Sequence, residues 1–419
     1  MKPRLLPVLF AVLVFLMTAA VGPSPSMQAE VIQLDVFSGW FSGVDEEAFN
    51  AAADAFHAAH PDIEVYNPWD SFECPSCELH IRVESGNPPD SFQSHMGREL
   101  IENWVMPGYV APLDDIYAES GLGKNLPKEI SSYLTYDDHP WSVPVNIHRS
   151  NLIWYNQEIF DAYDIKASDL KTFDRWEAAA QKLEAAGIVP LALGDVDTWT
   201  DGQLFETILA GSMSAHKYEG LWTGETDWND PKVTKALINF KMMRQYVNED
   251  HAMLNWKEAV QLMIDGNAAM TITGDWANGE FLDQGFTGFG WTETPGSKGI
   301  YVALSDTFTL PQYYPHPEAA SEFLSFLASK QAQEAINQVK GSICARTDCS
   351  HSYYNDYQRS ADKDVKKDKI VPSIIAGAAA NDAWLGAYFE AIANFVNTGD
   401  VAAAQAELAN ACIVAGVCH

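Results

Sequence analysis

The chain has 419 residues, a length that favours two or three structural units over a single core. Hydrophobic residues make up 47% of it and aromatic residues 12%, which indicates a well-packed globular protein and excludes an intrinsically disordered one. Its 57 acidic and 26 basic residues give a formal charge of −31, which opposes binding to nucleic acid or to anionic membranes. We interpret this charge as a solvated acidic surface and not as a site for a cationic partner.

Residues 1–29 have the pattern of a secretory signal peptide. Lys2 and Arg4 precede an apolar run over residues 5–21, and Met-Gln-Ala at 27–29 resembles a small-residue cleavage site. No cysteine lies near this site, so the acylated-cysteine anchor of exported lipoproteins is not expected. Cleavage would remove two basic residues and no acidic one, which leaves 24 against 57 and a formal charge of −33. We predict a soluble protein that is periplasmic or otherwise extracytoplasmic.

The cysteines favour disulfide bonds, because their number is even in a chain predicted to be exported. They are Cys74, Cys77, Cys344, Cys349, Cys412 and Cys418. The sequence leaves the connectivity open, although the short spacings favour local pairs. "CPSC" at 74–77, with His80 nearby, also fits a redox dithiol or an incomplete metal site. It follows a Pro- and Asp-rich turn instead of a strand, so a structural disulfide is favoured.

The order of predicted elements is that of an α/β protein. An alternating strand pattern over 31–37 precedes a loop, a helix with an acidic first turn, and a second strand after Pro61. Parallel strands joined in this way place the loop that carries Trp40 at the carboxyl edge of the sheet, where open α/β folds bind ligands. An amphipathic helix is predicted over 174–186, and the last ~70 residues are predicted to be largely helical.

Eight short segments carry a resemblance to a known family. They are GWFSG (39–43), PPDSFQSHMG (88–97), WSVPVNIHRSNLIWYN (141–156), PLALG (190–194), GDWANGEF (274–281), LSDTF (304–308), KGSICAR (340–346) and YNDYQRSA (354–361). In this order and at similar separations, they resemble ABC-transporter extracellular solute-binding proteins of the maltose-binding-like class, most closely the glucose/mannose-binding subgroup. Each segment alone is a weak signal, but together they span essentially the whole chain after residue 29.

The resemblance implies an α/β, two-lobed periplasmic-binding-protein fold with discontinuous lobes joined by a hinge. Hinge crossings near 142–145, 302–304 and 340 then divide the chain. The predicted lobes are an N-lobe of residues 30–143 and 303–340 and a C-lobe of residues 144–302 and 341–419. The resemblance also implies a non-enzymatic sugar-binding component of an ABC importer, which delivers glucose or a related hexose to a membrane permease. We expect a monomer.

A sugar cleft needs flat aromatic rings for the C–H faces of the sugar and polar groups for its hydroxyls. Trp40 and Trp276 fit as the aromatic rings. The polar candidates, predicted on loops next to strands, are Gln93, His95, Asp306 and Lys340. In an extended segment, side chains two residues apart point to the same side, which would direct Gln93 and His95 together into the cleft. An Asp and a Lys in such a cleft can brace each other, so Asp306 and Lys340 are predicted to pair.

Each of these residues also has a structural interpretation. Most of the 13 Trp must belong to the core, and a single His more often packs than binds. Asp306 fits a turn cap and Lys340 fits an exposed helix end. The loop position of Trp276, between Asp275 and Asn278, and its match to the family favour contact with the sugar.

Further candidates have weaker support, and they are Phe41, His148, Arg149, Asn151, Trp199 and Trp256. Phe41 is included because the family commonly has two adjacent Trp where this chain has Gly39 and Trp40. His148 and its neighbours lie near a predicted hinge, where a structural network is equally expected. Ala376 stands where the glucose/mannose-binding subgroup has a His, which leaves the identity and epimer of the sugar open.

Two other functions stay open. An extracellular glycosidase would use a pair of carboxylates, but in a chain with 57 acidic residues chance pairs carry no information. A sensor or adhesin subunit would use the same cleft with a different membrane partner. The sequence contains no HExxH, GxSxG, P-loop or GxGxxG motif, so it predicts no catalytic residue, no metal and no cofactor.

Overall fold

The computed structural model of the protein describes residues 31–72 and 74–419. The predicted signal peptide lies outside the described residues, so its cleavage stays a prediction. Within this part of the chain strands and helices alternate, in agreement with the predicted α/β class. No helix there combines the length and the apolar character needed to cross a membrane.

The strands are β1 Ile32–Phe37, β2 Ile63–Tyr66, β3 Ser91–His95, β4 Thr135–Tyr136, β5 His139–Pro140, β6 Val143–Pro144, β7 His148–Arg149, β8 Leu152–Asn156, β9 Val189–Ala192, β10 Ala268–Ile272, β11 Phe289–Glu293, β12 Ile300–Leu304, β13 Asp306–Thr309 and β14 Lys369–Pro372. The α-helices are α1 Val44–Ala59, α2 Pro75–Glu84, α3 Asp114–Ser120, α4 Lys128–Leu134, α5 Gln157–Ala162, α6 Phe173–Ala185, α7 Trp199–Ser212, α8 Ala215–Thr223, α9 Pro231–Met243, α10 Trp256–Ile264, α11 Ala277–Asp283, α12 Pro317–Leu327, α13 Lys330–Lys340, α14 Asp356–Asp364, α15 Asp382–Thr398 and α16 Val401–Val414. A π-type helix covers Glu99–Val105.

Helix α1 shows how local sequence produces these elements. Acidic residues such as Asp45 in its first turn favour the positive end of the helix dipole. Ala48, Phe49, Ala52 and Phe56 recur at helical spacing and are buried. This apolar stripe faces the core, where α1 packs alongside α13.

A five-stranded sheet has the order β2-β1-β3-β13-β6. β1 is parallel to β2 and β3, and β13 is antiparallel to β3 and β6. The register places Asp306 opposite His95 and Phe308 opposite Gln93, although 213 residues separate Gln93 from Asp306. Pairing with a distant strand therefore brings three of the predicted polar residues to one place.

Two further sheets have the orders β11-β8-β10-β9 and β14-β12-β7. The chain leaves the five-stranded sheet between Pro144 and His148 and returns to it between Leu304 and Asp306. Both passages lie close to predicted hinge crossings. The lobe boundaries given above stay a prediction.

Buried side chains form two large hydrophobic clusters. One includes Leu34, Phe92 and Phe323, around the five-stranded sheet, and the other includes Trp176 and Phe240. Two cores agree with the length of the chain, because a single core of this size is uncommon.

The disulfides are local, as predicted. They join Cys74 to Cys77, Cys344 to Cys349 and Cys412 to Cys418. The first bond lies directly after a short turn over Trp69–Ser71 and at the start of α2. "CPSC" therefore lies at the start of a helix, which its position after a turn did not indicate. The disulfide links the N-cap residue of α2 to the first turn of that helix.

Candidate ligand-binding cleft

A cleft of about 840 Å³ collects most of the predicted residues. Nine of the twelve candidates line it, namely Trp40, Gln93, His95, His148, Trp199, Trp256, Trp276, Asp306 and Lys340. They come from segments spread over most of the chain. Folding therefore brings residues that are distant in sequence together in this cleft.

Three Trp side chains form one aromatic wall of the cleft, here called the tryptophan surface. The ring of Trp276 meets those of Trp199 and Trp256 edge-on, with centroids 6.0 and 6.4 Å apart. Trp276 directly precedes α11, two residues after Gly274. A Cβ on Gly274 would lie 2.3 Å from the Trp276 ring, so glycine is required there by the close approach of that ring. The wall offers flat apolar faces of the kind that sugar C–H groups contact.

Trp40 lies on the loop after β1, as predicted, and is only 3% exposed. The Nζ atom of Lys340 lies 4.6 Å from the centre of its ring, in a cation–π contact. Lys340 forms its ion pair with Asp45 and not with Asp306, which corrects the predicted pair. The packing of α1 against α13 explains the difference, because it sets the first turn of α1 beside the last residue of α13. Burial lowers the pKa of Lys340, but the carboxylates of Asp45 and Asp306 outweigh burial and raise it.

Asp306 is the centre of the polar network in the cleft. Its carboxylate accepts hydrogen bonds from Nε2 of Gln93 at 2.9 Å and from Nδ2 of Asn146 at 2.7 Å, and His148 Nε2 lies 3.2 Å away. His95 Nε2 is 3.5 Å from the same carboxylate. Gln93 and His95 thus reach one point, as their spacing predicted. They lie within β3, and Asp306 begins β13, so the prediction that these residues sit on loops is wrong.

His148 joins two buried carboxylates. Its Nδ1 atom contacts Asp275 and its Nε2 atom contacts Asp306. Tyr357 donates a second hydrogen bond to Asp275, at 2.7 Å. Burial lowers the pKa of His148, but the two carboxylates outweigh burial and raise it to about 9. The ring is therefore charged at neutral pH and donates from both nitrogens.

The other ionisable groups complete this pattern of alternating charge. Burial lowers the pKa of His95, but Glu99 and Asp306 raise it to about 10. Burial raises the pKa of Asp306, but the hydrogen bonds from His148 and His95 and the charge of Lys340 hold it well below its ordinary value. Asp306 is therefore an ionised, oriented acceptor inside the cleft.

Phe41 does not line the cleft, unlike the nine candidates named above, and a role for it in binding stays a prediction. Its side chain is 44% exposed and its ring stacks on Trp69, with centroids 6.2 Å apart. Trp69 itself lines the cleft, and its ring lies 3.9 Å from the position that a Cβ on Gly39 would take. Trp69, and not Phe41, therefore lies against the position of the missing side chain at Gly39. Its position three residues after β2, at the carboxyl edge of the sheet, is a signal that could have identified it.

Arg149 and Asn151 also lie outside the cleft lining, in a buried structural network. Arg149 donates to Asp364 at 3.0 Å, to the Ile300 carbonyl at 3.0 Å and to Asn151 at 3.2 Å. Its guanidinium lies 4.9 Å from the centre of the Tyr301 ring. The network links β7 to β12. It is the structural network that the sequence analysis gave as the alternative to ligand contact for residues near the predicted hinge.

Sequence reasoning missed a second part of the cleft, formed where α2 faces α15. Its lining residues include Leu79, His80, Trp104, Asp382, Leu385, Gly386 and Phe389. None of them stands on a loop after a strand, and only tertiary packing places two distant helices opposite each other. We call this region the α2–α15 end of the cleft.

The raised pKa of His148 predicts that stability falls with pH. Its contribution is fully present below the ordinary His pKa of 6.5 and is lost as pH rises to about 9. We expect the free energy of unfolding to fall by up to about 3 kcal/mol over that interval from this group alone. Urea unfolding between pH 6 and 9.5 measures it. The variant His148→Gln should show a shallower decline, with the remainder due to His95. Equal declines in the two proteins would contradict the assignment.

The comparison with known proteins identifies the family. The sequence profile of bacterial extracellular solute-binding proteins matches residues 42–334. The chain belongs to this family. An uncharacterized ABC transporter extracellular-binding protein of Pyrococcus horikoshii is 36% identical to this solute-binding protein over 394 residues, which cover 93% of this chain and 89% of the relative. The family resemblance predicted from the sequence is thereby confirmed.

A second relative and a solved structure are also similar to this chain. The xylose/arabinose-binding protein of Haloferax volcanii is 28% identical over 371 residues, covering 85% of this solute-binding protein and 79% of the relative. A solved bacterial solute receptor, described as having an exclusive preference for β-D-galactopyranose, superposes with a TM-score of 0.82 at 18% identity. The match covers 92% of this chain and 99% of that one, and it shows that the two-lobed fold was predicted correctly.

Proposed function

We propose that the protein is the extracytoplasmic sugar-binding component of an ABC importer and binds glucose or a related hexose ring. The observation that carries the proposal is the pairing of the tryptophan surface with the ionised carboxylate of Asp306 in one cleft. Aromatic faces match sugar C–H groups, and a fixed acceptor matches sugar hydroxyls. The xylose/arabinose-binding relative supports a sugar as the ligand class.

The polar network prepares the site before the ligand arrives. Gln93 accepts hydrogen bonds from the Ser38 hydroxyl at 2.7 Å and the Gly39 N–H at 2.9 Å while it donates to Asp306. The Trp40 loop and the acceptor are therefore held in one geometry. Little side-chain ordering is left for the ligand to impose, which favours affinity.

Closure of the lobes would complete the site. In the proposed mechanism the predicted N-lobe (30–143 and 303–340) and C-lobe (144–302 and 341–419) close on the sugar by a hinge motion, and the permease recognises the closed form. His148 supports this coupling, because it links Asp306 on β13 to Asp275 beside Trp276. The protein would act as a monomer, exported with a signal peptide that is removed.

The charges of the cleft favour binding over hydrolysis. A glycosidase needs one carboxyl that stays protonated to act as general acid. Asp306 is instead held ionised by its His neighbours. The other three carboxylates of the cleft each pair with a cationic or His side chain, Asp45 with Lys340, Glu99 with His95 and Asp382 with His80. We therefore propose a non-enzymatic role.

Titration with a panel of pentoses, hexoses and small oligosaccharides tests the proposal. We expect saturable one-to-one binding by calorimetry, accompanied by a change in Trp emission because six Trp of the described residues line the cleft, namely Trp40, Trp69, Trp104, Trp199, Trp256 and Trp276. Incubation with aryl glycosides should release no phenol. Release of phenol would establish a glycosidase, and failure of every sugar to bind would overturn the assignment of the cleft.

A further inference from the structure

The position of Trp199 depends on a partly exposed loop. This loop covers residues 193–198, between β9 and α7, and Trp199 is the first residue of the helix. Residues 196–198 are exposed. Thr198, at the N-cap of α7, makes no side-chain hydrogen bond to the helix. Other contacts must therefore hold the loop if the Trp199 ring is to keep a fixed place in the cleft.

One guanidinium group contacts both sides of this segment. Arg244, the residue directly after α9, places its Nη1 atom 3.0 Å from the Asp195 carboxylate and also in contact with Asp201. Asp195 lies in the loop before Trp199, and Asp201 lies in the first turn of α7 after it. The three charged side chains are 13%, 6% and 9% exposed. Ion pairs buried to this extent are screened little by salt, so they can fix the geometry of the segment.

The same charged cluster reaches the segment that precedes Trp256. Nδ1 of His251 lies 2.7 Å from the Asp195 carboxylate. A Cβ on Gly194 would lie only 2.1 Å from the carbonyl oxygen of Asn255, so the two segments pack backbone against backbone. Trp256 follows Asn255 and begins α10. Two of the three Trp of the tryptophan surface therefore begin helices whose preceding segments are packed together around one charged cluster.

The charge of Arg244 lies between two carboxylates. Burial raises the pKa of Asp201 to about 7, with a further contribution from Asp195 and against the opposing charge of Arg244. Without the guanidinium between them, the two carboxylates would repel each other and a wider separation would be favoured. Because Asp195 and Asp201 stand on either side of Trp199 in the sequence, that separation would displace its ring.

We propose that Arg244 is a positioning residue of the sugar site, which fixes Trp199 in the tryptophan surface by pairing with Asp195 and Asp201. Arg244 is not among the described residues that line the cleft. Its effect on binding therefore passes through the Trp199 ring, which meets Trp276 at a centroid distance of 6.0 Å. The effect on sugar affinity rests on the proposed function, whereas the effect on the position of the Trp199 ring does not.

Fluorine NMR of the protein labelled with fluorotryptophan tests the position of Trp199 without any sugar. The variant Trp199→Phe identifies its resonance. We expect Arg244→Met to shift or broaden that resonance and to leave the resonance of Trp222, which is buried in the core, unchanged. Arg244→Lys returns a positive charge to the same place and should restore most of the original spectrum. Arg359→Met is the matched control, because it removes an exposed ion pair with Asp356, and it should leave the Trp199 resonance unchanged.

Calorimetry with glucose, galactose and xylose tests the consequence for binding. We expect Arg244→Met to weaken binding of the tightest of these sugars at least about fivefold, the lower end of the loss caused by removing a stacking ring. In a Trp199→Ala background the same substitution should weaken binding by less than about twofold, because no ring is left to position. Arg244→Lys should recover most of the affinity.

Two results would overturn the inference. One is an unchanged Trp199 resonance in Arg244→Met. The other is equal weakening of binding by Arg244→Met with and without the Trp199 ring, which would show that Arg244 supports the fold as a whole. If Arg244→Met does not fold, Asp201→Asn removes one of the two paired carboxylates at constant size and should shift the same resonance. Failure of every sugar to bind would overturn the proposed function, and the spectra would still decide whether Arg244 positions Trp199.

Discussion

Replacement of Asp306 with Ala should lower the free energy of unfolding by about 3–5 kcal/mol, the range typical when one partner of a buried ion pair is removed. Asp306 is 5% exposed and meets His95 and His148, both of which are charged at neutral pH. Without Asp306, each of these buried cations keeps only one of its two facing carboxylates, Glu99 for His95 and Asp275 for His148. Gln93 and Asn146 also each lose a hydrogen-bond acceptor. Urea unfolding at pH 7 measures the loss.

Asp306→Asn and Asp54→Ala are the matched controls for this experiment. Asn keeps the size and part of the hydrogen bonding, so the loss of stability should be smaller, while the pKa of His148 should fall with the loss of one facing carboxylate. Asp54 is exposed on α1, and its replacement should change stability by less than about 0.5 kcal/mol. Sugar affinity should disappear in Asp306→Ala. A loss of stability no larger than that of Asp54→Ala would show that the network does not hold the cleft together.

The second large effect is expected from Trp276→Ala. Removal of an aromatic stacking platform costs about 1–3 kcal/mol in other ring-binding sites, which corresponds to roughly 5- to 150-fold in affinity. The loss should be large here because Trp276 meets both Trp199 and Trp256 and orders the tryptophan surface. Calorimetric titration with the best sugar of the panel measures the change.

Trp276→Phe controls for the loss of an aromatic ring as such. Phe keeps a flat face at the same position, so most of the affinity should remain. Circular dichroism and urea unfolding establish that both variants fold. Unchanged affinity in Trp276→Ala would show that the ligand does not lie against the tryptophan surface.

Much of the candidate site could be predicted from local sequence patterns. Trp40 and Trp276 follow β1 and β10, and strand ends at a sheet edge are where such residues are expected. The two-residue spacing of Gln93 and His95 correctly placed both on one side of an extended segment. These inferences succeeded because strand periodicity and the order of strands and loops depend only on residues close together in the sequence.

Pairing between distant residues escaped the same reasoning. The chain has 57 acidic residues, and sequence could not choose among them the partner of Lys340. Phe41 was the only substitute considered for the second Trp of the family, because it adjoins Trp40 in sequence. Trp69 was not considered, yet the end of the parallel strand β2 brings it beside Gly39. Proximity along the chain did not predict which residues are in contact where two strands or two helices pack together.

The sequence by itself determined the α/β class, the family and the residue types of the candidate cleft, and it favoured local disulfides, because periodicity, cysteine spacing and motif order are local properties. Only the tertiary structure decided that β13 lies beside β3, that Lys340 pairs with Asp45, and that α2 faces α15. Each of these contacts joins segments more than 200 residues apart. Their geometry is set by how the two cores pack and how the chain crosses between them, which no short stretch of residues specifies.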